Sequence, residues 1–170
     1  GYKKGMEGWT TNVGKDKWIA YEFEDPVAIG EWILVGDGES RGETQNNPKD
    51  FEVQVSDDGE NWTTIDRVTG NKDGIVDHLL TSPVTTKHIR FYFTTPTQES
   101  DGDSINNPRA RVTQIFLYGD NKGAGESASE NLAKTYSADG VRASSTDTNF
   151  PPERAVQGDF EYNTEGWVSD

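Results

Sequence analysis

The 170-residue chain contains no cysteine, which excludes disulfides and thiol catalysis. In an exported protein this absence points to a bacterial surface or secreted source more than to an animal one. Histidine is nearly as scarce, and His78 and His88 both fall in strand-like runs rather than beside a nucleophile. No Ser occupies a strand-turn-helix elbow, and Gly36, Gly38, Gly42, Gly119, Gly123 and Gly125 precede no helix, so hydrolase-triad and phosphate-loop signatures are both missing. No apolar run approaches the roughly 20 residues of a bilayer-spanning helix. The opening GYKKGMEGW lacks an apolar signal core, as expected of a sequence that begins inside a larger protein or after processing. Basic residues are a minority, 16 against 30 acidic, and the net charge of −14 repels phosphate backbones and anionic headgroups. The expected partners therefore include no nucleic acid, and no membrane insertion is expected. Thirty carboxylates could supply an acid/base pair for glycoside hydrolysis, but among so many some pair will always look suitable. The chain reads as a non-enzyme.

What is present is aromatic and turn-rich: five Trp, six Tyr, seven Phe and 18 Gly, enough for one well-buried core with many short connections. Residues 17 to 119 read as strands, KWIAYEF, EWILVGD, DFEVQVS, NWTTIDRV, GIVDHLLT, HIRFYFT and RVTQIFLYG, with no long helix between them. In DFEVQVS, Phe51, Val53 and Val55 alternate with Glu52 and Gln54, the period of a strand with one face in the core. Ile89, Phe91 and Phe93 make a second such row in HIRFYFT. Asp58 and Gly59 predict a tight turn that returns Trp62 to the sheet. The sum is an all-β sandwich or jelly roll.

Residues 121 to 130 lie in the polar, Gly-rich stretch GDNKGAGESASE, which reads as a linker between segments 1 to 120 and 131 to 170. The last segment has one Pro-started turn of helix at 151 to 156 and otherwise reads as loops and short strands. It is too poor in core residues to fold alone.

Four runs in order, KDKWIAYEF, SRGETQNNPKDFEVQVSDDGENW, KHIRFYF and RVTQIFLYG, resemble the later three-quarters of a coagulation factor V/VIII type C (discoidin) domain, as in family 32 carbohydrate-binding modules. NLAKTYSADGVRASS through NFPPERAVQGDFEYNTEGWVSD resembles the first part of the same domain, here placed last. Glu165, Gly166 and Trp167 repeat Glu7, Gly8 and Trp9, as if a tandem array were cut within a module. The resemblance implies a discoidin-like jelly-roll β-sandwich, circularly permuted within one chain or domain-swapped between chains, since strands left unpaired at an edge invite association. A domain-swapped homo-oligomer is one expected form.

The resemblance also implies a non-catalytic, secreted or cell-surface lectin-like domain that anchors an attached glycosidase or adhesin to a glycan. The rival reading is a structural spacer or protein-interaction domain with a degenerate sugar site. Arg41 with Asn46 or Asn47 resembles the family's sugar-contacting pair, a planar guanidinium and an amide suited to vicinal hydroxyls of a neutral or amino sugar. The residues alone read equally as a polar loop in which Arg41 offsets Asp37, Glu39 and Glu43. Glu39 joins the expected ligand set, and Trp9 or Trp167 stands at the motif position for an apolar platform, although a Trp is more often a core residue. A His that galactose-binding members carry after that Trp is Val168 or Thr10 here, and the late loop TPTQESDGDSINNPRAR lacks their aromatic. The AVQGDFEYNT loop resembles the family's structural calcium loop. Its implied ligands are oxygens of Ala155, Gln157, Asp159 and Thr164, with Gln114 reaching from the last strand. Gln157 and Gln114 stand where the family usually carries acids, and the same loop reads equally as an acidic turn without metal.

Overall fold

A computed structural model describes residues 9–10, 17–38, 42, 44–98, 109–119, 132–134, 136–144 and 152–155. The described residues form seven strands: β1 (Trp9–Thr10), β2 (Lys17–Gly36), β3 (Asp50–Ser56), β4 (Thr63–Val68), β5 (Ile75–Thr95), β6 (Arg111–Tyr118) and β7 (Tyr136–Ala143). Short 3-10 turns occupy Thr44–Asn46, Leu132–Lys134 and Pro152–Ala155. All pairings are antiparallel, in the order β1-β6-β2-β5-β3-β4, with β7 added to β2. The all-β expectation holds.

Two strands are twice the expected length. The runs KWIAYEF and EWILVGD belong to one 20-residue strand, and GIVDHLLT and HIRFYFT to one of 21 residues. The apparent breaks at Pro26 and Pro83 coincide with register shifts, one between Glu22 and Val27 and one between Ile29 and Glu31, opposite which β5 passes from Val84 to Leu79. Proline donates no ladder hydrogen bond, so a shift in register is where a paired strand tolerates it. The shifts let β2 and β5 serve two layers. Lys17–Phe23 pairs with the C-terminal half of β5 and with β7, whereas Val27–Gly36 pairs with its N-terminal half and with β6.

Between the layers lies the main core. Ile19, Tyr21, Phe23, Phe51, Val53, Ile89, Phe91 and Phe93 come from one layer, and Trp32, Leu34, Val76, Leu80, Ile115 and Leu117 from the other. Trp32 is fully buried and meets Phe51 and Phe91 edge-on, with ring centroids 5.8 and 5.6 Å apart. Its indole Nε1–H donates to Asp66 Oδ2 at 3.0 Å, and His78 Nδ1, directly across the β2–β5 ladder from Trp32, lies 3.0 Å from the same oxygen. Asp66 of β4 thus ties both layers together.

The expected turn after DFEVQVS forms around Asp58, whose carboxylate accepts from the backbone N–H groups of Glu60 and Asn61, each at 2.8 Å. These bonds, with the Asn61 backbone contact foremost, hold the carboxyl well below the usual carboxylate range. Gly59 takes φ +75°, which an L side chain adopts only with strain.

The C-terminal segment packs on the same body. β7 pairs with β2 through Ile19↔Ala143, Ala20↔Arg142 and Tyr21↔Val141, and Trp18 N–H donates to Ser144 Oγ at 3.0 Å. Leu132–Lys134 packs on β6, and Pro152–Ala155, where a turn of helix is expected from Pro151, packs on β6 and β1. The expected linker at 121 to 130 lies outside the described residues.

Candidate functional site

One end of the sandwich is built from the end of β2, the turn Thr44–Asn46 and the start of β6. Asp37 follows β2, and its Oδ2 accepts from Asn46 Nδ2 at 3.4 Å, tying together the two ends of the segment that carries Glu39 and Arg41. Arg111 Nη1 donates to Asn46 Oδ1 at 2.9 Å. The Asn46 amide thus uses its acceptor toward β6 and its donor toward β2. β1 lies alongside, pairing Thr10 with Arg111 and Trp9 with Val112. The strand position of Trp9, Arg111, Asn46 and the base of the Arg41 segment therefore converge at one end.

Asn47 is only 1% exposed. Its Nδ2 donates to Lys72 O at 3.3 Å, and its carbonyl accepts from Gln98 Nε2 at 3.1 Å. Gln98 also donates to Asn71 O at 2.9 Å, and Asn71 Nδ2 donates to Pro48 O at 2.7 Å. Gly36 makes this packing feasible, because a Cβ there would stand 2.8 Å from Asn47 Oδ1 and 3.1 Å from Pro48 Cδ. The sequence suggests an exposed Asn pair; the structure buries both, at 7% and 1% exposure, and gives them the task of holding the loop. No sequence pattern announces this, since the partners Lys72, Gln98 and Arg111 are 25 to 65 residues away.

Of the remaining expected ligand residues, Arg41, Glu39 and Trp167 lie outside the described residues, and Trp9 is described through its backbone pairing alone.

For calcium, Gln157, Asp159 and Thr164 likewise lie outside the described residues. Ala155 is fully buried in the turn that packs on β6. Gln114, on β6, is 2% exposed and its Oε1 has no hydrogen-bond partner among the described residues. A buried, unsatisfied carbonyl oxygen is costly unless something accepts its lone pairs, and a hard cation does so. Gln114 therefore fits the role of one neutral oxygen donor. Among the described residues no group of three or more His, Cys, Asp or Glu side chains gathers to hold a metal.

His78 serves the Trp32–Asp66 tie, and His88 packs under the Gly59 turn, where a Cβ on Gly59 would lie 3.3 Å from its ring. No helix among the described residues is long and apolar enough to cross a membrane.

Comparison with known proteins adds the following. The family profile of the F5/8 type C domain matches residues 2–108, more than half of the chain. No curated protein matches. Among solved structures, the family 32 carbohydrate-binding module of Streptococcus pneumoniae EndoD superposes with a TM-score of 0.53 at 20% identity, covering 64% of this chain and 74% of that one. The chitosan-binding module 1 of a Paenibacillus sp. IK-5 chitosanase/glucanase gives 0.47 at 20% identity, covering 64% and 73%. A third module, CBM32-3 of a Clostridium perfringens family 31 glycoside hydrolase, gives 0.49 at 18%, covering 64% and 72%. The fold shared with the streptococcal module is the discoidin-like jelly roll. The chain belongs to the F5/8 type C domain family.

Proposed function

We propose that this domain is a carbohydrate-binding module of a secreted or cell-surface protein, holding an attached glycosidase or adhesin on a glycan. The observation that carries the reading is the convergence at one end of the sandwich. Arg111 and Asp37 fix Asn46, and Asn46 closes the segment bearing Arg41 and Glu39 beside the strand position of Trp9. Asn46 is thus held from two strands, and fixing a residue beside a ligand site lowers the ordering cost that binding otherwise meets. In this reading Arg41 supplies a planar donor fork to vicinal hydroxyls of a neutral or amino sugar, Glu39 an acceptor, and Trp9 or Trp167 the apolar platform for the C–H face. Asn46 and Asn47 act indirectly, through the loop.

In the same proposal the C-terminal segment completes the module. Pairing of β7 with β2 and packing of Pro152–Ala155 on β1 and β6 support closure of the sandwich by a segment that the family order places first. The pairing is made within one chain here, and the same contacts exchanged between two chains would give a swapped dimer. Calcium, if it is held, takes Gln114 Oε1 together with oxygens of Ala155, Gln157, Asp159 and Thr164, and fixes that closing loop. A glycan array with the isolated domain, followed by calorimetry of any ligand against Arg41→Ala, tests the reading; an array without ligands favours a spacer or protein-interaction role.

A further inference from the structure

The outer face of the β7-β2-β5-β3-β4 layer carries a cleft remote in sequence from the Arg41 segment. Its position follows from register. Ala20 pairs with Arg142 on one side and Arg90 on the other, Glu22 with His88, and Trp18 with Tyr92, so these side chains share one face. Ala20 is therefore a small residue between two guanidinium-bearing positions. Gly140 and Gly59 extend the low floor, and Trp18, Trp62, Glu22, His88 and Arg142 form the rim of a cleft of about 60 Å³.

The walls are held in place. Arg90 stacks over Trp62, its Cζ 4.2 Å from the ring centroid, and its Nε donates to Gln54 Oε1 at 2.6 Å. His88 meets the Trp62 ring edge-on at 6.5 Å, and the Asp58 turn packs Gly59 onto His88. At the other end Glu22 is flanked by Arg142 at 3.3 Å and Lys87 at 3.9 Å. Arg142 is 67% exposed, so its donors face water as well as Glu22.

An apolar indole wall lining the same cleft as a carboxylate acceptor and a guanidinium donor makes up the chemistry that a pyranose requires. The ring's C–H face covers an aromatic surface, and adjacent hydroxyls donate to the carboxylate and accept from the guanidinium. Glu22 partly neutralises Arg142 and Lys87, which favours an uncharged ligand. We infer that this sheet face is a second carbohydrate site, separate from the Arg41 end, binding one neutral pyranose across Ala20 between Trp62, Glu22 and Arg142. The inference takes its ligand class from the proposed function and its location from an independent set of residues.

The test is nitrogen-15 NMR titration of the whole chain with glucose, galactose, N-acetylglucosamine and N-acetylgalactosamine, reading the tryptophan indole N–H signals assigned through single Trp→Phe variants. At least one sugar is expected to shift the Trp18 and Trp62 signals, with the affinity read at Trp18 weakened about tenfold or more by Trp62→Ala and by Arg142→Gln. Both positions lie outside the core, and an unchanged melting temperature verifies the fold of each variant. Shifts confined to Trp9 and Trp167 would overturn the second site and leave the first standing. Shifts confined to Trp18 and Trp62 would support the second site and count against the first. A titration in which no signal moves with any sugar at about 100 mM would overturn both, because even weak single-sugar sites fill appreciably there.

Discussion

The Arg111 guanidinium donates to Asn46 Oδ1 at 2.9 Å, fastening the turn before β3 to the first residue of β6 across 65 positions of sequence. Asn46 also donates to Asp37, so one amide connects the end of β2, the Arg41 segment and β6. Asn46→Ala leaves the Arg111 and Asp37 groups without this partner and should cost about 1–3 kcal/mol of stability. Glycan affinity should fall as well, although Asn46 itself is buried. Urea unfolding and calorimetry on the same variant measure both effects.

Gly36 provides the room in which Asn47 sits. Gly36→Ala places a methyl 2.8 Å from Asn47 Oδ1 and 3.1 Å from the Pro48 ring. Overpacking here should cost about 1–3 kcal/mol. Chemical denaturation of the variant, with Gly70→Ala as a comparison at a position where an added Cβ meets nothing, separates crowding from backbone effects. Gly70 has φ +63°, so its loss reports left-handed strain alone.

Trp32 fills the centre of the core and donates to Asp66. Trp32→Ala should cost about 3–5 kcal/mol, the range for truncating a fully buried large aromatic. Trp32→Phe keeps most of the volume but strips Asp66 of its indole partner, leaving His78 as its neighbour, and should fall between that value and wild type. Thermal denaturation of the two variants checks the order.

Glu31 and Asp77 share the outer face of the second layer, where Glu31 lies opposite Leu79 and Asp77 opposite Ile33. Burial pushes the Glu31 carboxyl up to about 7, and the adjacent Asp77 carboxylate adds to the rise. The folded state therefore holds this proton more tightly than the unfolded chain, whose carboxyl keeps the ordinary value of 4.5. Its contribution to stability is full below that value and is lost as pH rises through about 7. Glu31→Gln should accordingly raise the melting temperature more at about pH 8 than at about pH 5. Melting curves of wild type and variant at both pH values decide it.

For calcium, metal-stripped protein should melt at higher temperature when the ion is added, because binding to the fold alone stabilises it. Gln114→Glu should enlarge that shift by supplying a charged ligand. Identical curves in calcium and in chelator, for both proteins, would count against the site.

The sequence makes some of this legible and hides the rest for identifiable reasons. Period-two rows are local, so Phe51, Val53, Ile89, Phe91 and Phe93 read as inward-facing and are buried at 0–3% exposure. The Asp58 turn is local too. KWIAYEF and EWILVGD, like GIVDHLLT and HIRFYFT, read as separate strands, yet register shifts let β2 and β5 run on and bend between layers. At the candidate site, the Arg-Asn-Asn spacing gives no sign that Asn46 and Asn47 are buried. That depends on Arg111, Lys72 and Gln98, contacts that no short motif encodes. The same holds for the outer-face cleft, where Trp18, Trp62, Glu22 and Arg142 come together only through the pairing of β2 with β5 and β7.

The most direct test of the central claim is calorimetric titration of whichever glycan an array identifies into wild type, Arg41→Ala and Arg67→Ala. Arg67, on β4, is bonded to Glu52 and takes no part in the proposed site. The account predicts weak binding to wild type, since each hydroxyl gives up hydrogen bonds to water before gaining protein ones. It predicts the same affinity for Arg67→Ala and no detectable heat for Arg41→Ala. An affinity that Arg41→Ala leaves unchanged would contradict it.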